Sequence, residues 1–156
     1  MQDDHVTFTN EHSATASSGA APWQILIVDD DRDIHQATRL ALHNVVIFDR
    51  PLVFKDAFSG SEAQAMVEQD DAIDLILLDV VMETETAGFD CARYIRRTLN
   101  KNPPVIVIRT GFGGHEFERS PAALKAGLID NFIKKSMTTR ELLISVLTKT
   151  LRHLAH

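Results

Sequence analysis

The sequence predicts an α/β domain whose central sheet is parallel and covered by helices on both faces. Three observations carry this. Short, solidly apolar runs at residues 25–28 (ILIV), 74–79 (DLILLD) and 104–110 (PVIVIRT) read as strands buried on both sides. Between them lie stretches whose apolar residues recur at helical spacing, the alternation that builds βα units. And the strands end in polar residues, at the edge where open parallel sheets hold their ligands.

The elements follow in order. Residues 1–22 (including HSATASSGAAP) are small, polar and without apolar period, a composition unable to offset its ordering entropy, so they are expected to form a disordered leader or linker. Residues 23–156 are expected to be the folded domain. After the first strand, Ile34, Ala37, Ala41 and Val45 mark a helix. Residues 45–50 (VVIFDR) either extend that helix or form an extra short strand before Pro51. A second strand covers 51–57 (PLVFKDA), and Ala63, Met66 and Val67 mark a short helix after Gly60. The third strand ends at Asp79. Phe89, Ala92, Ile95 and Leu99 make the next helical stripe, and the fourth strand ends at Thr110. Ala122, Ala123 and Ala126 point to a helix closed by Gly127, a residue suited to a C-cap. Residues 130–135 (DNFIKK) are the fifth strand, and Leu143, Val146, Leu147, Leu151 and Leu154 finish the chain as an amphipathic helix.

Composition narrows the function. The chain has 156 residues, enough for one full core. Its net charge of -6 argues against a nucleic-acid surface, which needs a basic patch. No apolar run nears the roughly 20 residues that span a bilayer, and the N-terminus has no secretory n- or h-region. A single cysteine, Cys91, excludes an internal disulfide and suits the cytoplasm; its apolar neighbours point to packing. His115, in the loop after the fourth strand, is expected to be solvent-exposed.

The polar strand ends gather the chemistry. The first strand ends in Asp29 and Asp30, the third in Asp79, the fourth in Thr110 and the fifth in Lys134. Three carboxylates in one cleft repel and raise one another's pKa values. A hard divalent cation such as Mg²⁺ resolves that conflict. The cation and an ammonium would then meet the charge of a phosphoryl group, and a carboxylate can itself accept one covalently. Asp31 suits the N-cap of the first helix.

In this combination the residues resemble the receiver domain of two-component response regulators over about residues 24–153. The resemblance implies a flavodoxin-like (CheY-like) doubly wound fold with strand order 2-1-3-4-5. It implies Asp79 as phosphoacceptor, with Thr110 and Lys134 on the phosphoryl oxygens. Mg²⁺ (or Mn²⁺) would be bound by Asp29, Asp30, Asp79 and the backbone carbonyl of Val81. The implied donor is a sensor histidine kinase or phosphotransfer protein, and the fourth helix, fifth strand and fifth helix would form a homodimer surface. The stretches LLDVVMETETAG and IRTG also resemble receivers fused to larger regulators, some with cyclic-dinucleotide outputs.

The chain departs from the family pattern. Glu83 stands where Pro usually follows Met, Lys135 where Pro usually follows the lysine, and Asn131 where an aromatic residue usually lies three before it. Phe132 would point to the other side of the strand. Glu83 and Glu85 are expected to be solvated, or else to tune the metal or bind a partner. Val81 and Phe112, the expected neighbours of a hydrolytic water, are apolar and cannot orient it. A haloacid-dehalogenase-type phosphohydrolase is the enzyme alternative; it needs acidic metal ligands after the lysine, where only Glu141 occurs. A phosphorylation-independent pseudo-receiver adaptor is the third reading.

Overall fold

The computed structural model describes residues 6–8, 21–111 and 116–155. Strands β1 (Val6–Phe8), β2 (Trp23–Val28), β3 (Val45–Ile47), β4 (Arg50–Ala57), β5 (Leu75–Asp79), β6 (Val105–Thr110) and β7 (Asn131–Lys134) form one sheet in the order β1-β3-β4-β2-β5-β6-β7. The five strands β4-β2-β5-β6-β7 are parallel. Numbered among themselves they have the expected order 2-1-3-4-5.

The sheet is wider than expected. Residues 45–47 are the short strand among the two readings, and they pair antiparallel with β4. The turn that allows this has Phe48 and Asp49 at φ of 51° and 63°, two consecutive left-handed residues. Val6–Phe8 adds antiparallel to β3, so this part of the expected leader is a strand; the rest of 1–20 lies outside the described residues. His115 and Phe112 also lie outside them.

The helices are α1 (Arg32–Ala41), α2 (Gly60–Gln69), α3 (Ala87–Arg93, continued by a π turn at Tyr94–Thr98), α4 (Glu116–Lys125) and α5 (Arg140–Leu151). Alternate strand residues divide between two buried layers, as a pleat requires. Leu26, Val28, Ile76, Leu78, Ile106 and Ile108 pack with residues of α2, α3 and α4. Trp23, Ile25, Leu75, Leu77, Val105 and Val107 pack with Leu143, Val146, Leu147 and Leu151 of α5. Gly127, at φ +79°, ends α4 as expected. Cys91 is fully buried, and burial, with Glu83 and Asp90 nearby, pushes its thiol up to about 12, which makes it inert packing.

Candidate functional site

The carboxyl ends of β2, β5 and β6 meet at one edge because the strands are parallel and in register. Asp29 follows β2, its N–H donating to the Ala57 carbonyl at 3.2 Å. Its Oδ1 accepts from the Asp31 N–H at 2.9 Å, and Asp31 in turn caps α1 by accepting from the Asp33 N–H at 2.9 Å. Asp29 and Asp79 are buried and Asp30 is exposed, and one oxygen from each lies within 4.8 Å of the others. Burial and then the neighbouring Asp29 push the Asp79 carboxyl up to about 6, against the opposing pull of Lys135.

The cation in the site is Lys135, a correction to the sequence reading. Its Nζ lies 3.1 Å from Asp79 Oδ2 and 3.2 Å from Asp29 Oδ2. Lys134 ends β7, in register with Thr110, and belongs to the sheet. The chain then bends into a 3₁₀ turn at Lys135–Met137, and the first residue past the strand swings over the sheet edge. Two expectations change with it. Ser136 becomes the residue after the site lysine, and Phe132 becomes the aromatic residue three before it. The signal was in the sequence, since DNFIKK offers two lysines and only the second has an aromatic residue three before it. Thr110 is fully buried, its hydroxyl donating to the Ile133 carbonyl at 3.3 Å. Val81, two residues beyond Asp79, is 42% exposed.

The loop after Asp79 is held from two sides. Gly88 N–H donates to the Val80 carbonyl at 2.9 Å, an approach so close that a Cβ on Gly88 would stand 2.3 Å from the Asp79 carbonyl oxygen. Glu83 is exposed, as expected, and lies outside the cluster of Asp29, Asp30 and Asp79, but its carboxylate is not idle. Its two carboxylate oxygens accept from Gly60 N–H at 2.9 Å and Ser61 N–H at 3.1 Å, anchoring the loop to the N-terminus of α2. Burial raises its pKa, but these N–H groups and its own outweigh that and hold it below the usual carboxylate range.

Two buried groups on the α1 side were not singled out from the sequence. His35 Nδ1 lies 2.7 Å from Asp56 Oδ1 and its Nε2 lies 2.8 Å from the Asp29 carbonyl. Burial works against the Asp56 charge, but hydrogen bonds from His35 and Arg39 keep its pKa low. Both ring nitrogens thus face oxygen atoms, so the ring bridges the Asp29 carbonyl and the Asp56 carboxylate. Arg109, next to Thr110, is 4% exposed and donates from Nη1 to Thr38 Oγ1 at 3.0 Å. An Ile-His-x-x-Thr stretch on α1 and an Arg before the strand-terminal Thr are their sequence trace, invisible without the strand register.

Donor chemistry in the cluster fits a hard divalent cation. All three candidate ligands are carboxylates, and Asp29 Oδ2 is fully buried, with the Lys135 ammonium 3.2 Å away offsetting its charge.

Comparisons with known proteins agree with this geometry. The family described as the response regulator receiver domain matches residues 25–147. A 3'3'-cGAMP-specific phosphodiesterase 2 of Vibrio cholerae serotype O1 is 41% identical over 131 residues, 84% of this chain and 25% of that protein. The transcriptional regulatory protein CpxR of Escherichia coli is 32% identical over 127 residues, 79% of this chain and 47% of that protein. The chain thus spans between a quarter and a half of these curated relatives. Among solved structures, a CheY-like receiver domain protein from Methanospirillum hungatei superimposes with a TM-score of 0.68 at 23% identity, covering 85% of this chain and 95% of its own. The chemotaxis protein CheY4 of Vibrio cholerae does so with a TM-score of 0.66 at 25% identity, covering 83% and 99%.

Proposed function

This chain belongs to the response regulator receiver family of two-component signalling, and from that premise we propose that Asp79 is its phosphoacceptor and that Asp29, Asp30 and Asp79 hold Mg²⁺ or Mn²⁺. The observation that carries the reading is the convergence of three carboxylates and the Lys135 ammonium on one strand edge. A carboxylate oxygen of Asp79 attacks the phosphorus of a phosphohistidine; the P–O bond forms as the P–N bond to the donor imidazole breaks. The donor is a sensor histidine kinase or a phosphotransfer protein. Asp29, Asp30, Asp79 and the Val81 carbonyl would hold the metal, whose chemistry is to neutralise charge on the transferring oxygens. Lys135 faces the same oxygens from the β7 side. Thr110, one strand from Asp79, donates its hydroxyl to the new phosphoryl group after leaving the Ile133 carbonyl, and Phe132 repacks as it does so.

The likeness to a protein named as a cyclic-dinucleotide phosphodiesterase supports an output in that signalling class. Incubation with acetyl phosphate and Mg²⁺ tests the site. Incorporation of one phosphate that is lost in Asp79→Asn supports it, and incorporation that survives the substitution overturns it.

A further inference from the structure

Arg109 stands in a position that phosphoryl transfer does not explain. It is paired in register with Asp79 across β5 and β6, so the two side chains leave the sheet on the same face. Only Nη1 is tied, to Thr38 on α1. Nε and Nη2, the edge with which a guanidinium grips a carboxylate or phosphate in two-point fashion, are buried and without a hydrogen-bond partner. Burial lowers the pKa of Arg109, and the fields of Asp29 and Asp79 act against that and favour its charge. A buried cation held off its own carboxylates, with its gripping edge open, is costly unless the carboxylates' field repays it.

We propose that Arg109 is a permanent counter-charge built into the acidic site, which weakens the hold of the aspartates on a divalent cation and so sets the metal concentration at which the site loads. This rests on the metal site proposed above. The formal charges make the point. Asp29, Asp30 and Asp79 contribute -3, and Lys135 and Arg109 contribute +2, leaving -1. With a divalent cation the site reaches +1, an excess suited to a phosphoryl dianion. Without Arg109 the metal-free site is -2 and the loaded site is neutral. Lys135 is partly exposed and on a mobile stem, so solvent screens it; Arg109 is enclosed and acts in a lower dielectric. The Thr38 hydroxyl, accepting from Nη1, holds that end of the guanidinium toward α1.

The experiment is calorimetric titration of Mn²⁺ and Mg²⁺ into the whole chain, comparing wild type with Arg109→Met, Arg109→Gln, Arg109→Lys and Thr38→Val. Removing a unit charge this close to a divalent site should tighten binding by about ten- to a hundredfold in the Met and Gln variants. Arg109→Lys keeps the charge and should stay within about threefold of wild type, whereas a merely structural role would be lost in it as well. Thr38→Val should bind more weakly or equally. Equal affinity in wild type and the neutral variants, or tightening in Arg109→Lys equal to that in Arg109→Met, overturns the proposal. Should a neutral variant be unfolded without metal, Mg²⁺ is titrated against its refolding, and failure of Mg²⁺ to restore the fold overturns the proposal too. If wild type binds neither ion, the metal site itself fails; if wild type binds and the variants do not differ from it, only the role of Arg109 fails.

Discussion

Replacing the proposed phosphoacceptor should make the metal-free protein more stable. The Asp79 carboxyl titrates near 6 in the fold, against 3.8 for an ordinary aspartate. A folded-state pKa above the unfolded one means that the native protein holds this proton more tightly. Native stability from this group is therefore complete below pH 3.8 and is lost as pH rises through 6. The shift of 6 - 3.8 = 2.2 units, at about 1.4 kcal/mol per unit, means that ionised Asp79 destabilises the neutral-pH fold by about 3 kcal/mol. Asn is nearly isosteric, keeps an acceptor for Lys135 and carries no charge. Asp79→Asn should thus gain about 3 kcal/mol at pH 7.5 and about 1 kcal/mol at pH 4.5, where wild-type Asp79 is already protonated in the fold. Urea denaturation in EDTA at the two pH values measures it. Mg²⁺ at about 100 times its Kd stabilises wild type by about 2.7 kcal/mol and should nearly close the gap at pH 7.5. A variant no more stable than wild type at pH 7.5, or a gain equal at both pH values, would refute the reasoning.

The two lysines separate in one assay: Lys135→Met should slow phosphorylation by acetyl phosphate by about 10²–10³, as loss of one fixed charge at a reacting group does, whereas Lys134→Met should leave the rate within about twofold. Gly88→Ala places a Cβ 2.3 Å from the Asp79 carbonyl oxygen, so the loop must move; a stability loss of about 1–3 kcal/mol in urea and a fall in phosphorylated yield are expected. Glu83→Gln removes the charge at the start of α2 and should cost about 0.5–1 kcal/mol by the same denaturation assay. Val81, two residues after the acceptor, and Phe112, two after Thr110 in the sequence, are apolar and cannot orient a hydrolytic water, so the aspartyl phosphate in purified protein with Mg²⁺ should persist for minutes or longer by phosphate release; a half-life of seconds contradicts this.

The parallel order and the three aspartates were legible because each rests on local pattern. A solid apolar run ending in Asp places that Asp at a strand's carboxyl end whatever the rest of the chain does. What misled was a one-residue question at the end of β7. Two adjacent lysines differ in where they project only once the strand is known to stop at Lys134 and turn, and strand ends are the least determined feature of a sequence. The β1–β3 extension was obscure for a related reason. Three-residue strands carry almost no period, and Val45–Ile47 continues the apolar spacing of α1, so only tertiary pairing distinguishes a strand there.

Arg109 and His35 were invisible for a stronger reason, since their meaning is relational. A lone Arg at the end of an apolar strand, or a lone His on a helix, is ordinary until the register shows what faces it. The register puts both on the α1 side of the acidic edge. His35 ties the Asp29 carbonyl to Asp56 on the neighbouring strand, and Arg109 ties the Asp79 side of the site to Thr38, one turn further along α1. Helix α1 is therefore fastened to the strands that carry the site through two buried side chains, His35 on the Asp29 carbonyl and Arg109 on Thr38. Any change of charge at Asp79, by phosphorylation or by metal, acts on Arg109 and hence on the Thr38 contact. A change at α1 produced by a bound donor acts back on the site by the same amount, because coupling free energies are reciprocal. Thr38→Val, which leaves every charge in place but removes the Arg109 contact, should then loosen α1, read as faster amide exchange across Arg32–Ala41 than in wild type. Unchanged exchange there would mean that α1 is held by its packing alone.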